Sequence, residues 1–373
     1  MIPMTMPPSM TPSPVQGRGQ PWQLARIAKF PRLRALAWSQ DYLYASRGYQ
    51  LLRSGLLQTD VLTNLPWHPV ASFRPAWWRH SSAATRLSSR LFRDGFHALA
   101  ILPSGGIVGA VPGAIVTLRP GEGEFRPTHA ITRGTRPLHL ASVPTGTVYW
   151  GEYFDNAARD EVHIYASTDG GVTWNVAYTF PKGAIRHVHN IVYDAWGDCL
   201  WVLTGDYGDE CRILRASCDF RQVDVVLLGN QQARAAALVP TEVGLFFASD
   251  TPLEPNFIYH MNRQGGLRKL AGVTSSSIHG CRVRDAVFFS TMVEPSDVNS
   301  DRHVRIYGSL DGENWSALLA WQKDHWPMSF FQYGNALFPD GENSTNYLAV
   351  TTAAVQQDDQ STLLYSLRSA LSS

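Results

Sequence analysis

The chain has 373 residues, enough for one large repeat domain or two ordinary domains, and it is 44% hydrophobic but only 17% charged. Its 12 Trp, 30 Gly and 23 Pro suit many short strands joined by tight turns and argue against long solvated helices. A formal net charge of +1 excludes a general electrostatic drive toward nucleic acid, and no apolar run approaches the roughly 20 residues of a membrane span.

The first segment, residues 1–21, is rich in Pro and has neither a basic leader nor an apolar core, so it is expected to be a disordered tail. Cys199, Cys211, Cys218 and Cys281 form no C-x-x-C pair, so free thiols are expected. Both features lead to the expectation of a cytoplasmic protein.

Beyond the tail, residues 22–370 read as a single domain with a period of roughly 40 to 45 residues, the size of a four-stranded propeller blade. Apolar runs open the units at Leu33–Trp38, Phe96–Ile101, Leu138–Val143, Val188–Tyr193, Ala235–Val239, Ile278–Val283 and Phe330–Asn335. Second strands are expected at Ile107–Val111, Val148–Glu152, Leu200–Thr204, Leu245–Ser249, Val287–Thr291 and Tyr347–Thr351. The fold class is therefore all-β, a propeller of seven blades, with six blades plus an irregular unit as the alternative. Residues 22–30 precede the first unit with no partner, whereas the last unit runs out of chain after residue 367. The N-terminal run is thus expected to supply the missing strand of the last blade and close the ring.

One segment, residues 73–95, breaks the period. It carries Trp77, Trp78 and five Arg around a short helix, and reads either as a cap on one face or as an aromatic, basic wall for sugar stacking.

Ser167-Thr-Asp169-Gly-Gly171-Val-Thr173-Trp174 is a turn signature in which Asp accepts backbone hydrogen bonds, Gly adopts a left-handed conformation and Trp packs beneath. Ser309-Leu-Asp311-Gly-Glu-Asn-Trp315 is one residue short of it, and Ser217-Cys-Asp219-Phe220 is a remnant. The complete copy resembles the Asp-box of sialidase-type β-propellers. That resemblance implies architecture; family members include glycosidases, polysaccharide lyases, lectins and scaffolds.

In a propeller the loops from second to third strands gather on one face. Here they hold Glu152 and Asp155, Asp206, Asp250 with Glu254 and Asn256, and Glu294. Repeated carboxylates at matching positions suit general acid or base chemistry, or else are solvated rim acids. Arg136, Arg186, Arg234 and Arg282, with His187, stand near the starts of inner strands and suit an anionic ligand. His187 and His189 alternate along a strand, so both reach the axis only if the first lies in a loop. His139 and His189 are candidate ligands for a divalent cation, Ca, Mn or Zn, although none is required. Tyr333 is a candidate nucleophile or base, or a core aromatic.

The expected function is cleavage of a glycosidic bond in an acidic oligosaccharide or polysaccharide, as the sialidase resemblance implies. Two alternatives stand beside it: a uronate lyase using a metal, His or Tyr, and a non-catalytic sugar-binding or scaffold propeller.

Overall fold

The computed structural model describes residues 4–5, 22–57, 65–82, 90–91, 94–328 and 330–369. Among these residues the strands form seven sheets arranged as the blades of a β-propeller, each with four antiparallel strands and two of them extended by a fifth, parallel strand. The inner strands of blades 1 to 7 are Arg34–Gln40, Ala98–Ile101, Ala141–Ser142, Val188–Asp194, Ala235–Thr241, Ser277–Val283 and Asn335–Leu337.

Apolar residues fill the spaces between blades. The wedge between blades 5 and 6, for example, holds Phe246, Phe289, Tyr307 and Trp315. Similar clusters occupy the other six interfaces, so each blade buries both faces against its neighbours.

The ring closes as expected. Trp22–Pro31 pairs antiparallel with Ser361–Ser369, from Trp22↔Ser369 to Pro31↔Ser361, and completes blade 7 from the opposite end of the chain. This pairing removes a free edge and fastens the first strand to the last.

Two expectations need correction. Within the expected tail, Met4–Thr5 pairs in parallel with Val223–Leu228 of blade 4, while the rest of residues 1–21 lies outside the described residues. The last unit was expected to open at Phe330–Asn335, but its inner strand is only Asn335–Leu337. Beyond it Asp340–Asn343 leaves blade 7 and pairs in parallel with the inner strand of blade 1, Asp340↔Ala37 through Asn343↔Gln40. Pro339-Asp340-Gly341 reads locally as a hairpin turn, which hides this second pairing. Gly341 is required there: its φ is +86°, and a Cβ would stand 2.3 Å from the Trp38 carbonyl oxygen.

The Ser–Asp turns join third to fourth strands on the far face. Asp169 accepts from the Val172 and Thr173 amides and from the Ser167 and Thr173 hydroxyls, while Trp174 Nε1 donates to the Gly171 carbonyl. The shorter copy repeats this with Asp311 accepting from the Glu313 and Asn314 amides and Trp315 donating to Gly312.

The helix of the 73–95 segment is Trp77–Ser82. Farther along, Arg90 is wholly buried, pairs with Asp324 and lies 4.2 Å from the Trp326 ring. The segment between blades 1 and 2 is thereby fastened to the link between blades 6 and 7.

Candidate functional site

The inner strands converge on a cavity of about 1390 Å³, open on the face formed by the links between blades and the second-to-third-strand loops. Its wall mixes apolar side chains with charged and polar ones. Arg34, Arg136, Arg234, His97, His139, His189 and His279 meet Asp250 and Glu294 there, and Trp77 and Tyr333 stand among its aromatic residues.

A backbone irregularity recurs around the ring, and in blade 4 it aims one of these side chains. The inner strands of blades 1, 4, 5 and 6 each carry a register shift near their start, at Ala35/Ala37, Val188/Asn190, Ala235/Ala237 and Ser277/His279. A β-bulge turns the skipped residue out of the alternating pattern. In blade 4 that residue is His189. Since His187 precedes the strand, the alternation that would separate the two imidazoles does not apply, and their Nε2 atoms lie 3.1 Å apart.

Asp206 completes this group, 3.3 Å from His189 Nε2 and 3.5 Å from His187 Nε2. Its position depends on Gly205, where φ is +82° and a Cβ would fall 1.9 Å from the Glu210 carbonyl oxygen. Arg186 and Arg234 each approach Asp206 to 3.4 Å. Burial opposes ionisation of Asp206, but its interactions with the neighbouring His187 and His189 prevail and hold the carboxyl far below its ordinary value.

Arg234 bridges two acids, since it also lies 3.7 Å from Asp250. Burial disfavours its charge, yet Asp250, Asp206 and Glu294 together raise its pKa. Glu294 shifts the other way from Asp206: burial, followed by the Asp250 charge, pushes its carboxyl pKa up. Neighbouring carboxylates with opposed environments are suited to separate acid and base roles. Tyr153, not singled out as a site residue, lies on the same wall with its ring 4.3 Å from His187. Burial, then Asp250, pushes its phenol to about 12.

The axis holds a second polar group. Asp340 lies 3.2 Å from His139 Nδ1, and the His139 and His279 rings are 5.7 Å apart. Arg34 donates to the His97 carbonyl and lies 3.2 Å from His97 Nδ1. Burial lowers Arg34 to about 10, against the opposing pull of Asp340.

Several expected site residues lie elsewhere. Glu152 is buried in a structural ion pair: Arg133 Nε donates to one oxygen at 2.9 Å, and the His163 amide donates to the other at 2.8 Å. Both oxygens are therefore occupied away from the cavity. Glu254 accepts from Gln232, and Asn256 braces its own loop through Thr251, Ser249 and Asn299. Arg282 lies near the end of its strand, 4.8 Å from the Trp196 ring at the opposite face. Asp155 is exposed on the rim, where it pairs with Arg186. His139 is engaged with Asp340, so the convergent ligand set is His187, His189 and Asp206. Tyr333 lies ahead of its strand and lines the cavity, half-exposed, in place of the inner-strand position expected.

No protein family model matches the chain, and no curated protein matches it. Solved structures do. The WD40 β-propeller domain of Doa1 superposes with a TM-score of 0.53 at 12% identity, covering 92% of this chain and 96% of that one. The β-propeller domain of Myceliophteria thermophila Cps50 (Swd1) gives 0.53 at 12%, covering 92% and 98%. A chain of the Mitotic Checkpoint Complex gives 0.53 at 10%, covering 96% and 98%. At these identities the likeness is one of fold.

Proposed function

We propose that the chain binds an anionic saccharide in the central cavity and hydrolyses one of its glycosidic bonds. The observation that carries this reading is the Glu294, Asp250 and Arg234 group, in which a carboxyl with raised proton affinity adjoins a carboxylate held beside a guanidinium. Glu294 would protonate the leaving oxygen, while Asp250 would activate water or attack the anomeric carbon. Arg234, Arg136 and Arg34 line the same space and supply charge for a sugar carboxylate. The volume exceeds that of a typical small-molecule pocket, roughly 300–1,000 Å³, and leaves room for more than one ring.

The test is release of reducing ends from uronate- and sialate-containing oligosaccharides by the wild type and by Glu294→Gln. Turnover lost in the variant with binding retained supports the assignment. Absence of both turnover and calorimetric binding across the panel would sink it.

A second reading, elimination by a uronate lyase, draws support from Tyr153 on His187 beside Arg234: a proton carrier next to a cation that neutralises a uronate. Its product is unsaturated and absorbs in the ultraviolet. The same digests therefore separate the two readings.

A further inference from the structure

The His187, His189 and Asp206 group has a feature that the acid and base assignment leaves unused. His187 Nδ1 lies 3.1 Å from the Phe154 carbonyl, and His189 Nδ1 lies 3.0 Å from the Ala235 carbonyl. A carbonyl only accepts, so each Nδ1 must carry the proton, and in the neutral ring each Nε2 is then a bare lone pair. Two such lone pairs face each other at 3.1 Å with a carboxylate beside them. They repel unless a cation or an added proton lies between them.

We propose that these three side chains bind one divalent first-row transition metal ion. The separations 3.1, 3.3 and 3.5 Å bracket the edge of about 3.3 Å that follows from tetrahedral bonds of roughly 2.0–2.1 Å. Carbonyl partners on the far ring nitrogens are the usual means of fixing the metal-binding tautomer and ring orientation. Two imidazoles and one carboxylate favour zinc and its first-row neighbours over calcium or magnesium, which prefer all-oxygen shells. All three residues are buried, and the supports come from blades 3, 4 and 5, so the set is held before any ion arrives.

The surrounding charge is compatible with a dication. Asp155, Asp206, Asp250 and Glu294 stand against Arg186 and Arg234, so acidic groups outnumber guanidinium groups around the site before a cation binds. Because His189 lines the cavity, coordination positions beyond the three protein ligands would face an anionic ligand there.

The test uses the full chain, stripped with chelator and titrated with zinc by calorimetry, with bound metal counted by elemental analysis. One equivalent is expected, with apparent affinity falling at least about 100-fold in His189→Ala and Asp206→Asn and retained in His139→Ala. The wild type alone gives an independent readout, because X-ray absorption of its zinc form should show two imidazole ligands and cobalt should give the intense visible bands of a tetrahedral site. Absence of saturable binding at one equivalent, a zinc shell without imidazole, or unchanged affinity in folded His189→Ala would overturn the proposal. None of these readouts requires turnover, so they stand apart from the hydrolase assignment.

Discussion

Asp340 lies 3.2 Å from His139 Nδ1 although 201 positions separate the two residues. The contact exists because Asp340–Asn343 leaves blade 7 to run beside the inner strand of blade 1. That strand brings a carboxylate to the His and Arg residues at the axis, and its path depends on Gly341.

Gly341→Ala is expected to destabilise the protein by about 1–3 kcal/mol, since it forces a side chain into a left-handed conformation against a backbone oxygen. Urea unfolding of the variant beside wild type measures this. An unchanged midpoint would mean that the parallel pairing contributes little.

Glu294 gives a pH prediction with a definite sign. Its folded-state pKa is raised, so the protonated acid is present below that value and is lost as pH rises through it. Hydrolysis should therefore show an alkaline limb set by Glu294, and the charge it acquires there should also cost stability. Glu294→Gln should remove that limb and lower kcat by about 10²–10⁴-fold, as loss of a general acid does. A variant that keeps the wild-type profile would assign the proton to another group.

Asp169 has the opposite sign. Burial opposes its charge, but hydrogen bonds from Thr173, Ser167 and Val172 outweigh this and hold it at about 2. Its contribution to stability is present above the ordinary carboxyl value and fades as pH falls toward 2. Asp169→Ala should cost about 1 kcal/mol, limited by solvent exposure of the turn. The effect of Asp311→Ala should add to it, because the two turns belong to separate blades. Thermal melts of the single and double variants decide this.

Arg90 is one anchor of the 73–95 segment, and Asp94, which accepts from the Tyr49 hydroxyl of blade 1, is another. Truncating Arg90 leaves Asp324 buried with Lys323 as its remaining cation, and Arg90→Ala should cost about 3–5 kcal/mol, the usual result of breaking a buried pair. Asp324→Asn should fall in the same direction. Proteolysis between residues 73 and 95 should become faster in both. Equal cleavage rates would show that the segment is fastened elsewhere.

Trp77 is 82% exposed and lines the cavity. Trp77→Ala should weaken saccharide binding by about 10-fold, the loss of one stacking or edge contact of roughly 1.4 kcal/mol. Calorimetry with an acidic oligosaccharide checks it. Binding unaffected by the change would place the ligand deeper in the channel.

Much of the fold was legible in the chain because its signals are local. Turn residues at regular intervals and apolar runs of strand length determined seven repeating units, and an unpaired run at each end of the domain foretold the closing strand. The Ser167 to Trp174 turn was equally local: its Asp, Gly and Trp make their hydrogen bonds within eight residues. The face on which the cavity opens followed from the same alternation of strands and loops, and of the residues considered there Asp250, Glu294, Arg234 and His189 line the cavity.

What the sequence could not decide was which of those matching carboxylates turn inward. Glu152 and Glu254 occupy loops like those of Asp250 and Glu294, but Arg133 and Gln232, supplied by preceding links, draw them aside. The bulge that aims His189, and the parallel strand that delivers Asp340, leave no mark in a pattern read with period two. Strand number and order came from the local pattern of the chain, whereas the chemistry of the channel depended on one-residue register shifts and on partners from other blades, which only the closed ring brings together.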